Sequence, residues 1–165
     1  MAELSVHGDG TTTDKPEEIA SFTSDYGVDF EQWNIDKLQA EDGRADEDEI
    51  MDVFDEEIES LKAQGNYNLV DVVSLTPDTP DLDELLSKFD RDHHHKEDEV
   101  RFVVDGRGVF TIHPDEGPSF DVELHAGDLI VIPDGTEHAF TLCEDKNIQC
   151  IRFFQSEDGW EAHYD

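Results

Sequence analysis

Basic residues are scarce in this chain: 11 Lys and Arg stand against 44 Asp and Glu, a formal net charge of -33 over 165 residues. A surface of that sign repels phosphodiester backbones and anionic headgroups, which argues against nucleic-acid and membrane partners. No apolar run approaches the roughly 18 residues of a membrane-crossing helix. The start, Met1-Ala2-Glu3-Leu4-Ser5-Val6, lacks the basic and apolar regions of an export signal, so a cytoplasmic protein is expected. Cysteine is nearly absent too. Cys143 and Cys150 flank a turn-like Asp145-Lys146-Asn147, and without an export signal both thiols are expected to be reduced. Neither a Gly-rich phosphate loop nor a nucleophile-elbow serine is present, so P-loop and serine-hydrolase chemistry lack their signatures.

What remains is enough to fold. Hydrophobic residues make up 36% of the chain and ten are Phe, which opposes the disorder that so much negative charge otherwise signals. The composition matches the acid-rich solvated surface of halophile proteins, where counter-ions screen self-repulsion. The length suits one domain, 1–165, with an N-terminal α/β portion to about residue 90 and a metal-binding barrel over about 91–160. The acidic surface favours a monomer.

Along the chain, a short strand is expected at Leu4 to His7, a helix from Pro16 to about Tyr26, and a strand from Val28 to Trp33. Ile50, Val53, Phe54, Ile58 and Leu61 recur at helical spacing from Asp46 until Gly65 ends the pattern. The acidic run Glu47–Glu59 then reads as the solvated face of that helix, since it lacks the oxygen-ligand pattern of a calcium loop. Tyr67 to Leu75 is a β-branched strand, and Asp81 to Phe89 a short helix. Beyond Asp92 short strands alternate with Gly, Pro and Asp turns: Val100–Val104, Val109–His113, Phe120–Leu124, Leu129–Ile132, His138–Leu142 and Ile148–Phe154. That rhythm predicts a mainly β fold, an antiparallel barrel or jelly roll with the N-terminal helices packed on it.

The chemistry concentrates between these two regions. In Asp92-His93-His94-His95-Lys96-Glu97-Asp98-Glu99-Val100-Arg101, residues His93, His95, Glu99 and Arg101 share odd parity. An extended backbone sends all four to one face and His94 to the other. Two imidazoles and a carboxylate suit a divalent transition metal with open coordination positions, and His138 offers a fourth ligand. His138 closes the pattern Gly127-x5-Pro133-x-Gly135-x2-His138, in which turns bracket an apolar strand. A histidine tract alone is as readily an exposed loop; two such patterns in order rarely arise together by accident. Arg101 sits two residues beyond Glu99 and is positioned to stabilise an anionic substrate or oxyanion, its other role being a plain salt bridge. Arg152, a charge on an apolar strand, needs either a carboxylate or a substrate as partner. Lone His7, His113, His125 and His163 read as surface groups.

His93-x-His95-x3-Glu99-x6-Gly106 and the His138 pattern resemble the two motifs of the cupin superfamily, with Ser87 where the first motif has a leading Gly. Within it, Phe89 followed by Asp92-His93-x-His95-x2-Asp98-Glu99-Val100-Arg101-Phe102-Val103-Val104-x-Gly106-x-Gly108-x-Phe110 resembles the acireductone dioxygenases of methionine salvage. So do Asp71 to Pro80 before it and Ile151-Arg152-x-Phe154 with Gly159-Trp160 after it. The resemblance spans about Val28 to Trp160 and implies a cupin barrel with one Fe(2+) or Ni(2+) per monomer on His93, His95, Glu99 and His138. It implies as substrates O2 and 1,2-dihydroxy-3-keto-5-methylthiopentene. Beside that substrate Arg101 is the candidate catalytic group and Arg152 a candidate contact, while Phe89, Phe140 and Trp160 are candidate walls for the methylthio tail, their other role being plain core. With iron(II) the implied products are formate and 4-methylthio-2-oxobutanoate; with nickel(II) they are formate, carbon monoxide and methylthiopropionate. The competing readings are another metal-dependent cupin, either a small-molecule dioxygenase or an isomerase, and a non-enzymatic cupin binding protein.

Overall fold

The computed structural model describes residues 3–8, 10–33, 47–65, 67, 69–82, 84, 99–114, 117–133, 136–142 and 146–154. In chain order these form β1 (Glu3–Val6), β2 (Thr12–Thr13), α1 (Pro16–Ser24), β3 (Asp29–Gln32), α2 (Glu47–Val53), α3 (Asp55–Gly65) and β4 (Leu69–Leu75). Then follow β5 (Glu99–His113), β6 (Phe120–His125), β7 (Asp128–Ile132), β8 (Glu137–Leu142) and β9 (Ile148–Phe154). All pairings are antiparallel, and the sheet curls so that β5 serves both of its walls. One wall runs β2-β1-β6-β5-β8 and the other β3-β7-β5-β9-β4. This is the mainly β, jelly-roll-type architecture that the turn spacing implied, with a few helices packed on it.

Two features of β5 depart from the sequence reading. The turn expected at Asp105-Gly106 is not a turn, and the strands expected on either side of it are one strand of 15 residues. A register shift against β9 between Val103 and Asp105 bends the strand without ending it, as bulges do. Gly106 makes the bend tolerable. Its φ is +78°, and a Cβ there would meet the Asn147 carbonyl oxygen at 2.1 Å, a backbone atom that cannot swing aside. Arg107 N–H donates to the same carbonyl at 3.1 Å, fixing the corner from the other side.

The bulge also changes which parity faces inward. Before it, Glu99, Arg101 and Val103 line the interior, while Val100, Phe102 and Val104 pack outward under the helices with Ile151 and Phe153. After it, Phe110 and Ile112 join the central core with Phe120, Val122 and Ile130. The helix expected from Asp46 to Gly65 is interrupted at Phe54, giving α2 and α3. Phe54 N–H to Ile50 and Ile58 N–H to Phe54 nonetheless keep one apolar stripe, Ile50, Phe54 and Ile58, against β5. The stripe is fully buried while Asp and Glu cover the other face, the amphipathic solution expected of an acid-rich helix. Of the helix expected over Asp81 to Phe89, most lies outside the described residues.

One buried carboxylate outside the interior is matched on both of its oxygens. Asp128, 1% exposed, accepts from Gln32 Nε2 and from the His125 backbone N–H, each at 2.8 Å, and so ties β3 to the β6–β7 turn. His7 sits against Asp121, His125 against Glu123 and His113 against Ser119, on the outer face as expected.

Gly106→Ala is expected to lower stability by ~2 kcal/mol or more, from left-handed strain plus backbone collision. Gly10→Ala, at φ +74° with nothing within 4 Å, should lose only the strain part, on the order of 1 kcal/mol. Equal losses in chemical denaturation would remove the Asn147 collision from the account. The net charge further predicts a melting midpoint that rises with potassium chloride, and a midpoint that falls rejects counter-ion screening as a stabiliser.

Candidate functional site

Two buried titratable groups meet between the walls of the sheet. Glu99 opens β5 and is 7% exposed; His138 lies near the start of β8 and is 1% exposed. They are 39 residues apart in sequence, yet His138 Nε2 lies directly on Glu99 Oε2. The other imidazole nitrogen settles the tautomer: Nδ1 is 2.8 Å from the Thr136 carbonyl, which only accepts, so Nδ1–H donates. Burial opposes the charged imidazolium, but the charge and hydrogen bond of Glu99, helped by the Thr136 carbonyl, outweigh it and raise the His138 pKa. With Nδ1 committed as donor, Nε2 and Oε2 present converging lone pairs that only a proton or a metal ion can reconcile. That is the donor chemistry a divalent cation requires, with the backbone carbonyl behind the imidazole orienting it.

Glu99 is held from its other oxygen. Arg101 Nη2 lies 2.8 Å from Glu99 Oε1, and its Nη1–H donates to the Val100 carbonyl at 3.0 Å. The arginine therefore occupies Oε1 and leaves Oε2 for His138 or for a metal. Next to Arg101 on the sheet stands Arg152, its cross-strand partner. Arg152 makes a two-pronged ion pair with Asp71 on β4, Nε to Oδ1 at 2.8 Å and Nη2 to Oδ2 at 2.5 Å. Of the two partners the sequence allowed for Arg152, a carboxylate is thus one it has. Asp71 carried no signal of its own; only the β4–β9 register pairs it with Arg152.

Glu99, Arg101 and Arg152 line a cavity of about 280 Å³. Registers of β4, β9 and β5 arrange its floor in successive rows: Asp71, Arg152 and Arg101; then Val73, Cys150 and Val103; then Leu75 and Ile148. Phe110 and Phe140 close it from the opposite wall, their ring centroids 4.8 Å apart. At about 3.3 Å per residue, charged and apolar ends lie roughly 13 Å apart. Burial pushes the Cys150 thiol pKa up, so this cysteine is an unreactive wall element.

The structure therefore brings Glu99, His138, Arg101, Phe140 and Arg152 to one interior, Phe140 at its apolar end. Phe89, His93, His95 and Trp160 lie outside the described residues. Thr136, Asp71, Val73, Leu75, Ile148 and Cys150 went unrecognised in the sequence. Strand alternation around Arg152 was the available signal for Cys150 and Ile148; nothing local marked Thr136. Among the described residues no helix is long and apolar enough to cross a membrane.

Known proteins match this chain along its whole length. The family model of the ARD/ARD' family matches residues 6–162. An acireductone dioxygenase of Bacillus velezensis is 45% identical over 172 residues, covering 100% of this chain and 97% of the relative. Another, of Bacillus subtilis, is 40% identical with the same coverage. The solved structure of an acireductone dioxygenase from Bacillus anthracis, with a cadmium ion in its active centre, superposes with a TM-score of 0.94 at 40% identity, covering 99% of this chain and 98% of that one.

Glu99→Ala should abolish stoichiometric binding of a divalent ion such as cobalt(II) while the chain still folds. A variant that melts cooperatively and titrates with one equivalent of metal would remove Glu99 from the ligand set.

Proposed function

Because the chain belongs to the ARD/ARD' family of metal-dependent dioxygenases, we propose that it cleaves 1,2-dihydroxy-3-keto-5-methylthiopentene with O2 in methionine salvage. One observation carries this reading: a carboxylate that is bonded to a buried imidazole lines an otherwise apolar cavity together with two guanidinium groups. An anionic enediolate with a methylthio tail has that same division of polarity.

The proposed ligands are Glu99 and His138 with His93 and His95, which share odd sequence parity with Glu99. One Fe(2+) or Ni(2+) per monomer would supply Lewis acidity and two adjacent positions for a chelating substrate. With iron(II) held there the expected products would be formate and 4-methylthio-2-oxobutanoate; with nickel(II) they would be formate, carbon monoxide and methylthiopropionate.

The chain's own residues do the rest. Arg101 fixes the Glu99 carboxylate through Oε1 and sets positive charge beside the enediolate oxygens, where a low-dielectric wall strengthens it. Arg152, steadied by Asp71, adds a second positive charge on the same side. Val73, Val103, Phe110 and Phe140 exclude water and receive the methylthio tail, with Phe89 and Trp160 proposed to complete the enclosure. The protein works as a cytoplasmic monomer in this reading. A sugar-phosphate isomerase fits less well, because both arginines are already bonded to carboxylates and the remaining wall is apolar.

The test is oxygen uptake on adding acireductone to apo-protein reconstituted anaerobically with iron(II) in high salt, with products identified. Uptake that yields formate and the keto acid in equal amounts is expected. A fully metallated protein that consumes no oxygen would overturn the substrate assignment.

A further inference from the structure

Gly108 lies in β5 two residues before Phe110, which lines the cavity, and its backbone needs no left-handed turn. What its missing side chain leaves is space. A Cβ built there would stand 2.6 Å and 2.7 Å from Cε2 and Cζ of Phe140, and 3.2 Å from Cδ1 of Ile148. Both neighbours line the apolar end of the cavity. The Phe140 ring edge therefore rests directly on the β5 backbone, in the volume any other residue would fill. Registers explain how the contact arises: Phe140 pairs with Phe110, Gly108 with Leu142 one step along, and Ile148 with Gly106 across the bend.

We infer that Gly108 is a specificity-determining position: by lacking a Cβ it lets Phe140 lie flat against β5, and this sets how long an apolar tail the cavity accepts. The inference rests on the proposed reading of the cavity as the seat of an anionic head and an apolar tail. A ring edge is movable where backbone is not, so a methyl at Gly108 is relieved by turning Phe140, with a smaller shift of Ile148. Phe110, packed 4.8 Å away, restrains the turn on one side, which leaves the cavity as the direction of displacement. The apolar end then becomes shallower, while Glu99, Arg101 and Arg152, at the opposite end, keep their places.

The test needs no turnover. Unbranched aliphatic carboxylates from butanoate to octanoate are titrated into the full chain in high salt, followed by methyl NMR of Val73, Leu75 and Ile148. Affinity should rise about fourfold per methylene while the tail still finds apolar wall, and stop rising once it reaches Phe140. Gly108→Ala should bring that break forward by one to two methylenes without changing affinity for the shortest acids. Gly108→Ala combined with Phe140→Leu should restore it, and Phe140→Leu alone should move it to longer tails. The single Phe140→Leu variant decides the matter even if Gly108→Ala does not fold. An unmoved break in Phe140→Leu, a uniform loss at every length in Gly108→Ala, or no carboxylate-dependent shift at these methyls overturns the proposal. Oxygen uptake by the wild-type chain reports separately on the function, so the two can fail independently.

Discussion

β5 belongs to both walls of the curled sheet, and the parity of the residues it turns inward changes along its length. One extra residue makes the change. The bulge between Val103 and Asp105 shifts the inward set from odd to even positions, and Gly106 takes the sharp backbone geometry at the corner. The rest of the interior follows. Glu99 and Arg101 face inward from one half, Phe110 and Ile112 from the other, and His138 on β8 is carried across to meet Glu99. Without the change of parity, one half of β5 would turn its apolar residues to solvent and the two donors would not converge.

Electrostatics gives that meeting its character. A chain with net charge -33 surrounds a small interior in which positive charge is concentrated on Arg101 and Arg152. Each guanidinium is held by a carboxylate, Glu99 or Asp71, so neither is free to wander. The acidic exterior lies in water, where salt screens it; the interior pairs are poorly screened and act at full strength over short distances. Any anion approaching the chain thus meets net repulsion outside, and inside it meets guanidinium groups beside apolar walls.

Much of this was visible in the order of residues. Glu99 and Arg101 share parity on a segment without a breaker between them, so any extended backbone aligns them. Gly127, Pro133 and His138 predicted a turn-strand-turn unit because Gly and Pro restrict the backbone locally. The amphipathic stripe Ile50, Phe54 and Ile58 likewise follows from helical period alone. One element differs: Asp105-Gly106 reads in sequence as a turn between two short strands. Asp-Gly is a turn signal, and only the neighbouring β9 register and the Asn147 carbonyl make it a bulge within one strand.

What the sequence determined by itself was local and chemical: a mainly β chain with helices, an acid-covered surface, and donors suited to a divalent metal. These follow from period, turn chemistry and side-chain type, which act within a few residues. Tertiary structure alone decided which distant groups meet. Asp71 reaches Arg152 through an antiparallel register, the Thr136 carbonyl sets the His138 tautomer, and Phe140 lies on Gly108. Each of these depends on strand order and on the bend in β5, because a contact between strands is fixed by how the whole sheet closes rather than by either residue's neighbours.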